Sequence, residues 1–557
     1  MNAEAPKKGR SGGRSARIAQ RAAPLAEDIR PVRPGMEGGA YKPLSDADMK
    51  TIYEAALTAL ETVGMADAPS SGVESMVAAG AILGEDNRLR FPRALVEHTL
   101  SIANKNLTLH AQDPKFDLDL SGNRVHFGTA GAAVHLVNVD SKEYEDSTIG
   151  HLYNAARIVD EMDNIHFFQR PMVARDILDN REMDINTVYA SIAGTKKHVG
   201  TSFVDTSHME DGLELLHMVA GSEEAWRARP FVSLSVTFVV PPMKFATESC
   251  EVMEVAIRGG MPVLLLSAGQ AGATAPAAIA GAVVQAVAEC LSGLVYVNSI
   301  SPGHPAIFGP WPFVSDLRSG AMSGGSGEQA ILTAAVGQMG KFLGLPTGSA
   351  AGMADAKIPD AQSGYEKGIT NVMAGLAGIN MVYESAGMHA SLLGFCLESL
   401  IIDNDMLGQA LRCVRGLEVT PEKLSLDVME KTCLEGPGHY LGSDQTLNLM
   451  QSEYIYPTIG DRTSPKEWAE VGKPVLLEAA QKTLRTILQG PKPGHIPPEV
   501  DAAVRVVLLH ETPLELVEVR ARALVGPPRA RRGGVGGRRR VVQCHGRQAV
   551  LPRRVRG

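Results

Sequence analysis

Phe231-Val-Ser-Leu-Ser-Val-Thr-Phe-Val239, then Phe245–Arg258, then Val263-Leu-Leu-Leu-Ser267 reads as strand, helix, strand. The two outer runs are short, apolar and rich in β-branched residues. The middle one carries apolar residues at helical spacing. Working outward, the same unit recurs at a pitch of roughly 35 residues. The remaining strand-type runs are Val125–Gly128, Ile165–Arg170, His198–Val204, Leu294–Ile300, Leu345–Ala350 and Ile379–Glu384. Such a chain buries its strands as a parallel sheet, and eight units close a (β/α)8 barrel. The expected class is therefore α/β, a TIM barrel. That fold places chemistry on the loops after each strand.

Around the barrel the chain divides further. Residues 1–40 are basic and rich in Gly and Ser, and read as a disordered arm. Residues 41–110 hold three helical stretches, beginning at Asp46 behind a candidate cap at Ser45, and read as a small α-rich cap. The barrel with C-terminal helices is expected over 111–490, and an Arg-rich, disordered tail over 491–557. From Gly526 to Gly557 there are ten arginines and no acidic residue. Without them the net charge of −8 becomes −18. An acidic body argues against nucleic-acid binding. The tail has no apolar period and reads as out-of-frame translation beginning near Arg505, which resequencing of the gene tests.

With 44% hydrophobic and 21% charged residues the composition is that of an ordinary globular protein. No run of 18 uninterrupted apolar residues is present, so no membrane span is expected. The N-terminus lacks the apolar core of a secretory signal, and a cytoplasmic location is expected. The six cysteines include no C-x-x-C pair, which fits reduced thiols and argues against a thiolate-rich metal site. No H-E-x-x-H, G-x-S-x-G or strand-following G-x-G-x-x-G occurs. No bound metal is expected.

Four stretches can carry chemistry. The loop after the seventh strand, Gly348–Glu366, gathers Asp355, Lys357, Asp360, Gln362 and Tyr365. Small residues there let backbone approach a ligand, although Asp360 would equally serve as an ordinary helix cap. At the end of the eighth strand, Tyr383 and Glu384 put an aromatic ring and a carboxylate at the barrel mouth. A carboxylate buried there needs a cation or a salt-bridge partner. Ser301–Phe313 collects His304, Phe308, Trp311 and Phe313 in ten positions, with one of only three tryptophans. Aromatic faces attract quaternary ammonium groups by up to ~2 kcal/mol, while anchoring of a loop is the alternative. Gly324–Glu328 precedes a helix and reads as a flexible hinge rather than a phosphate loop.

The segments R33-P-G-M-E-G-G-A-Y-K-P-L-S45, S323-G-G-S-G-E-Q329, D355-A-K-I-P-D-A-Q-S-G-Y-E-K367 and Y383-E-S-A-G-M388 resemble the trimethylamine methyltransferase family over roughly residues 30–500. The resemblance implies a (β/α)8 barrel and methyl transfer from a methylamine to a corrinoid protein. The founding members carry pyrrolysine near the seventh strand and its loop, around Lys357 here, whereas this chain has only standard residues there. The expected activity is transfer of a methyl group from a quaternary or tertiary methylamine, betaine-like or trimethylamine, to the Co(I) of a corrinoid protein. The corrinoid is carried by the partner and none is bound tightly here. A quaternary ammonium already bears the charge that lets it leave as a neutral amine, so the enzyme has to orient the methyl group and exclude water. Positions assign Asp355, Lys357, Asp360 and Glu384 to the catalytic site. Arg170, His304, Trp311, Phe313, Gln362, Tyr365 and Tyr383 are assigned to substrate binding, with Arg170 or Lys357 holding a substrate carboxylate. A homo-oligomer is compatible with this reading. The alternatives are a barrel lyase or hydrolase using Glu384 or Asp360 as base, and a non-catalytic methylamine-binding protein.

Overall fold

In the computed structural model, residues 29–436 and 438–507 are described. Most of the arm and of the Arg-rich tail, residues 1–28 and 508–557, lies outside the described residues. The part of the arm inside them departs from the expectation of disorder. Met36–Glu37 forms a short strand antiparallel to the first barrel strand, with Met36 buried.

Three helices follow, α1 (Asp46–Thr62), α2 (Ser70–Ala78) and α3 (Arg93–Ile102). Ser45 caps α1 in a capping box with Asp48, satisfying donors that the first turn leaves free. Ile52, Ala56 and Leu60 face the core, while Val63 is exposed.

The barrel strands are β1 (Arg124–Phe127), β2 (Phe167–Gln169), β3 (His198–Thr201), β4 (Val232–Val236), β5 (Val263–Ser267), β6 (Ala306–Pro310), β7 (Gly348–Ala350) and β8 (Met381–Tyr383). All neighbours are parallel. Strands β2 to β6 pair in order, and β7 pairs with β8, which pairs with β1. Two parallel bridges, Gly128 to Phe167 and Phe308 to Thr347, join these arcs into a closed ring. The connecting helices are α4 (Ile149–Asp160), α5 (Asn180–Gly194), α6 (Thr206–Ala220), α7 (Thr247–Arg258), α8 (Ile279–Ile300), α9 (Gly327–Phe342), α10 (Ala361–Leu376) and α11 (Leu397–Arg415).

The sixth strand is not where the sequence pattern put it. Leu294–Ile300 is the last seven residues of the 22-residue α8, and β6 lies in the stretch that reads as loop. A helix covered on all sides loses its polar stripe, so its apolar run is indistinguishable from a buried strand. Helix α8 is long and apolar enough to cross a membrane by length and composition, and 72% of its most apolar window is buried in the protein. The N-terminal helices α1, α2 and α3 pack against it. Gly72 on α2 approaches so closely that a Cβ there would lie 2.3 Å from the Tyr296 hydroxyl.

At the C-terminal side, α12 (Leu476–Gln489) packs on α4 and α11. The Arg157 guanidinium of α4 donates to the carbonyls of Ile487 (3.2 Å) and Gly490 (3.2 Å), closing the end of α12. The beginning of the expected tail is also structured. Helix α13 (Pro498–Val507) buries Val504, and Arg505 is ion-paired with Asp501 at 2.8 Å.

Candidate active site

Strand alternation fills the barrel interior with aromatic side chains near its C-terminal end. Tyr383 at the end of β8 packs edge-on against Phe167 of β2 (centroids 5.1 Å) and tilted against Trp311 just after β6 (5.2 Å). Trp311 in turn meets Phe313 edge-on at 6.3 Å. Two glycines make room for this wall. A Cβ on Gly128 would fall 2.4 Å from the Phe167 ring, and one on Gly348 would fall 2.7 Å from the Tyr383 ring.

Near the C-terminal ends of the strands, five buried polar atoms have no hydrogen-bond partner. They are Arg170 Nε after β2, Thr201 Oγ1 at the end of β3, Trp311 Nε1 after β6, Gln329 Oε1 at the start of α9 and Glu384 Oε2 after β8. Buried polar groups are normally satisfied, so these five make the mouth a candidate ligand site, although other unsatisfied atoms, His166 Nε2 among them, lie elsewhere in the protein. Glu384 is 1% exposed, and burial alone pushes its carboxyl up to about 8. Its backbone is left-handed (φ +62°), so the side chain leaves the strand alternation. Burial lowers the Arg170 guanidinium, opposed by the Asp184 charge. Asp184 itself accepts from Val204 N (2.9 Å) and lies 2.8 Å from His208 Nδ1.

The loop after β7 is engaged differently. Asp355 accepts from Ser323 Oγ (2.7 Å), from Gly324 N (2.7 Å) and from Ser391 Oγ. Its carboxylate thus ties three loops together, and the Gly324–Glu328 segment is pinned rather than hinge-like. Lys357 is exposed and its Nζ donates to the Asp355 carbonyl at 2.6 Å. Asp360 is exposed and caps α10 in a capping box with Ser363. Gln362 donates to Glu366 at 2.8 Å, and Tyr365 is 58% exposed. Buried Glu366 accepts from the backbone of Asp355 (2.8 Å) and Ala356 (3.1 Å), holding the loop in place. Asp355, Lys357, Asp360, Gln362 and Glu366 thus bond within the loops and the start of α10, while Tyr365 faces solvent. His304 is a correction of another kind. It precedes β6 and meets the Met261 carbonyl at 2.9 Å, at the opposite end of the barrel. From sequence it appears at the mouth only because β6, which follows it, has the pattern of a loop.

Of the residues singled out from sequence, the structure brings Arg170, Trp311, Phe313, Tyr383 and Glu384 to the C-terminal ends of the strands. It adds Thr201 and Gln329. Gln329 closes the S-G-G-S-G-E-Q segment, so a signal for it was present, whereas Thr201 had none beyond its strand end. Among the described residues no group of three or more His, Cys, Asp or Glu side chains is placed to hold a metal ion.

A closed barrel with an aromatic, partly unsatisfied mouth defines a TIM-barrel protein with a candidate small-molecule site at the C-terminal face. The family model for trimethylamine methyltransferase matches residues 10–509, and the chain belongs to that family. It is 28% identical to the trimethylamine methyltransferase of Desulfitobacterium hafniense DCB-2, over 85% of this chain and 94% of that protein. It is also 28% identical to the glycine betaine methyltransferase of strain Y51, over 84% of this chain and 96% of that protein. Among solved structures it is similar to the hydroxylamine complex of MtmB, at 11% identity and a TM-score of 0.45, over 83% of this chain and 90% of that one.

Proposed function

We propose that this protein takes a methyl group from a quaternary N-methyl compound, of which a betaine is the best fit, and delivers it to the Co(I) corrinoid of a partner protein. Family membership supports the reaction class. The observation that carries the substrate choice is the buried Glu384 carboxylate, whose Oε2 has no protein partner, one residue after the Tyr383 ring that packs on Trp311.

The acceptor is the attacking species, so the chain supplies no nucleophile of its own. What remains for it is to hold the cation, aim one methyl group outward and keep water away. A quaternary nitrogen against Glu384 and the aromatic wall gains Coulomb and cation–π attraction where the dielectric is low. Its charge also drives Glu384 to ionise on binding, because a nearby cation favours the carboxylate form. Arg170, half-buried and with an enclosed Nε free of protein partners, suits a substrate carboxylate through charge-assisted hydrogen bonds. When the methyl group departs, the nitrogen leaves neutral and needs no acid. The standard residues of the β7 loop are in keeping with that chemistry.

The test mixes the purified protein with reduced corrinoid protein and a panel of quaternary and tertiary methylamines. Formation of the methylated corrinoid, followed by its absorption spectrum, is expected with a quaternary compound and only when this protein is present. Tight ligand binding without methylation of the corrinoid overturns the catalytic reading, and turnover without corrinoid overturns the reaction class.

A further inference from the structure

Glu384 departs from the strand at a left-handed backbone angle, which a non-glycine residue keeps only where its surroundings fix it. The turn that follows is held from behind by two helices. Ser385 N donates to the Gly128 carbonyl at 2.9 Å, and the Ser385 carbonyl accepts from Asn371 Nδ2 of α10 at 3.1 Å. Gly387 N donates to Asp403 Oδ2 of α11 at 2.8 Å. That same oxygen accepts from Lys367 Nζ of α10 at 2.7 Å. Gly387 has φ +86°, and a Cβ there would lie 2.3 Å from the Phe395 ring, so only glycine fits this position of the turn. Lys367 is 2% exposed and Asp403 4%. His389 Nε2 stands 3.5 Å from Lys367 Nζ and 2.7 Å from Ser399 Oγ.

Stability does not account for a charge pair at this depth. Apolar side chains of similar volume in place of a buried ion pair are often neutral or stabilising, because both charges must be desolvated. What the pair does provide is a directional anchor on one peptide N–H, three residues after the site carboxylate.

We infer that Lys367 and Asp403 are positioning residues, whose buried ion pair clamps the Ser385–Gly387 turn and thereby sets the Glu384 carboxylate at the barrel mouth. The inference rests on Glu384 being the group that faces the substrate cation. Neither Lys367 nor Asp403 touches substrate.

The experiment compares the full-length wild type with Lys367→Met/Asp403→Leu, Lys367→Met/Asp403→Asn, Asp403→Glu and Glu384→Gln in the corrinoid methylation assay. Melting temperature and the pH dependence of KM are recorded for each. Lys367→Met/Asp403→Leu removes two buried charges and leaves the Gly387 N–H unpaired, so it is expected to melt within a few degrees of the wild type and yet to raise KM for the quaternary amine about tenfold or more. Its pH limb moves to lower pH as the carboxylate relaxes toward water. Lys367→Met/Asp403→Asn keeps an acceptor for Gly387 N and brings KM back toward wild type. A folded Lys367→Met/Asp403→Leu protein with wild-type KM and pH limb overturns the clamp. If that variant does not fold, Asp403→Glu decides, because it keeps the charge and displaces the acceptor: a several-fold rise in KM supports the clamp and a wild-type KM overturns it. Glu384→Gln separates the two readings. A wild-type KM there removes the role of Glu384 itself, whereas a raised KM beside an unaffected Lys367→Met/Asp403→Leu removes only the clamp.

Discussion

Glu384 shows how burial converts an ordinary residue into a titrating element. Its carboxyl is raised to about 8 by desolvation, against about 4.5 when exposed. The folded protein therefore binds a proton that the unfolded chain releases between those values. Stability contributed by the neutral carboxyl is complete below about pH 4.5 and is lost as pH rises toward 8. Glu384→Gln is expected to stabilise the free protein by on the order of 1–3 kcal/mol at pH 8.5 and little at pH 4.5. Thermal melts at the two pH values check this, and an equal effect at both contradicts it. Arg170 makes a prediction of specificity. Arg170→Met should raise KM for a carboxylate-bearing betaine roughly 10- to 100-fold, the loss of a charge-assisted hydrogen bond. A quaternary amine without a carboxylate should be affected far less, and steady-state kinetics on the two substrates measures the difference.

At the scale of elements, two kinds of polar residue crowd the mouth and their roles divide cleanly. Asp355, Asp360 and Glu366 are spent on backbone N–H groups and hold loops and helix ends. Asp360→Ala is expected to lower stability by about 0.5–2 kcal/mol through loss of the α10 cap, with KM unchanged. A chemical denaturation midpoint and a kinetic assay on the same sample test both parts. The aromatic wall depends on glycine in the facing strands. Gly128→Ala places a methyl group 2.4 Å from the Phe167 ring. It should cost roughly 1–3 kcal/mol by overpacking and disturb Tyr383, which packs on Phe167 at 5.1 Å. Calorimetry reads the first effect and KM for the quaternary amine the second. Helix α8 and strand β6 teach a complementary point. Residues 294–300 and 306–310 are both short apolar runs, and which becomes strand is settled by the 15 residues N-terminal to the first run, which commit it to a helix.

For the whole molecule, the closed ring separates two ends with different electrostatics. At the N-terminal end, His126 and His166 are buried and neutral. His126 is lowered to about 4 by desolvation, and His166 is held well below its ordinary range by the same cause. Each binds a proton more weakly folded than unfolded. Stability is therefore full above about pH 6.5 and falls as pH drops toward 4, by on the order of 3 kcal/mol for a shift of the His126 size. Denaturation midpoints across pH 4–7 test this, and His126→Gln should flatten part of the acid limb.

The repeat of apolar strand and amphipathic helix was enough to specify a parallel barrel, because burial on both faces leaves a local signature in seven of the eight units, the sixth being masked by the apolar end of α8. The polar segments at the mouth, the family resemblance and the placing of Tyr383 and Glu384 at a strand end were also legible in local sequence. Only the tertiary structure decided which carboxylates are braces and which is unpartnered. Asp355 meets Ser323 and Ser391, Asp403 meets Lys367, and Glu384 meets no protein donor at Oε2. Whether a buried carboxylate is satisfied depends on groups tens of residues away, and that distance in sequence carries no local pattern.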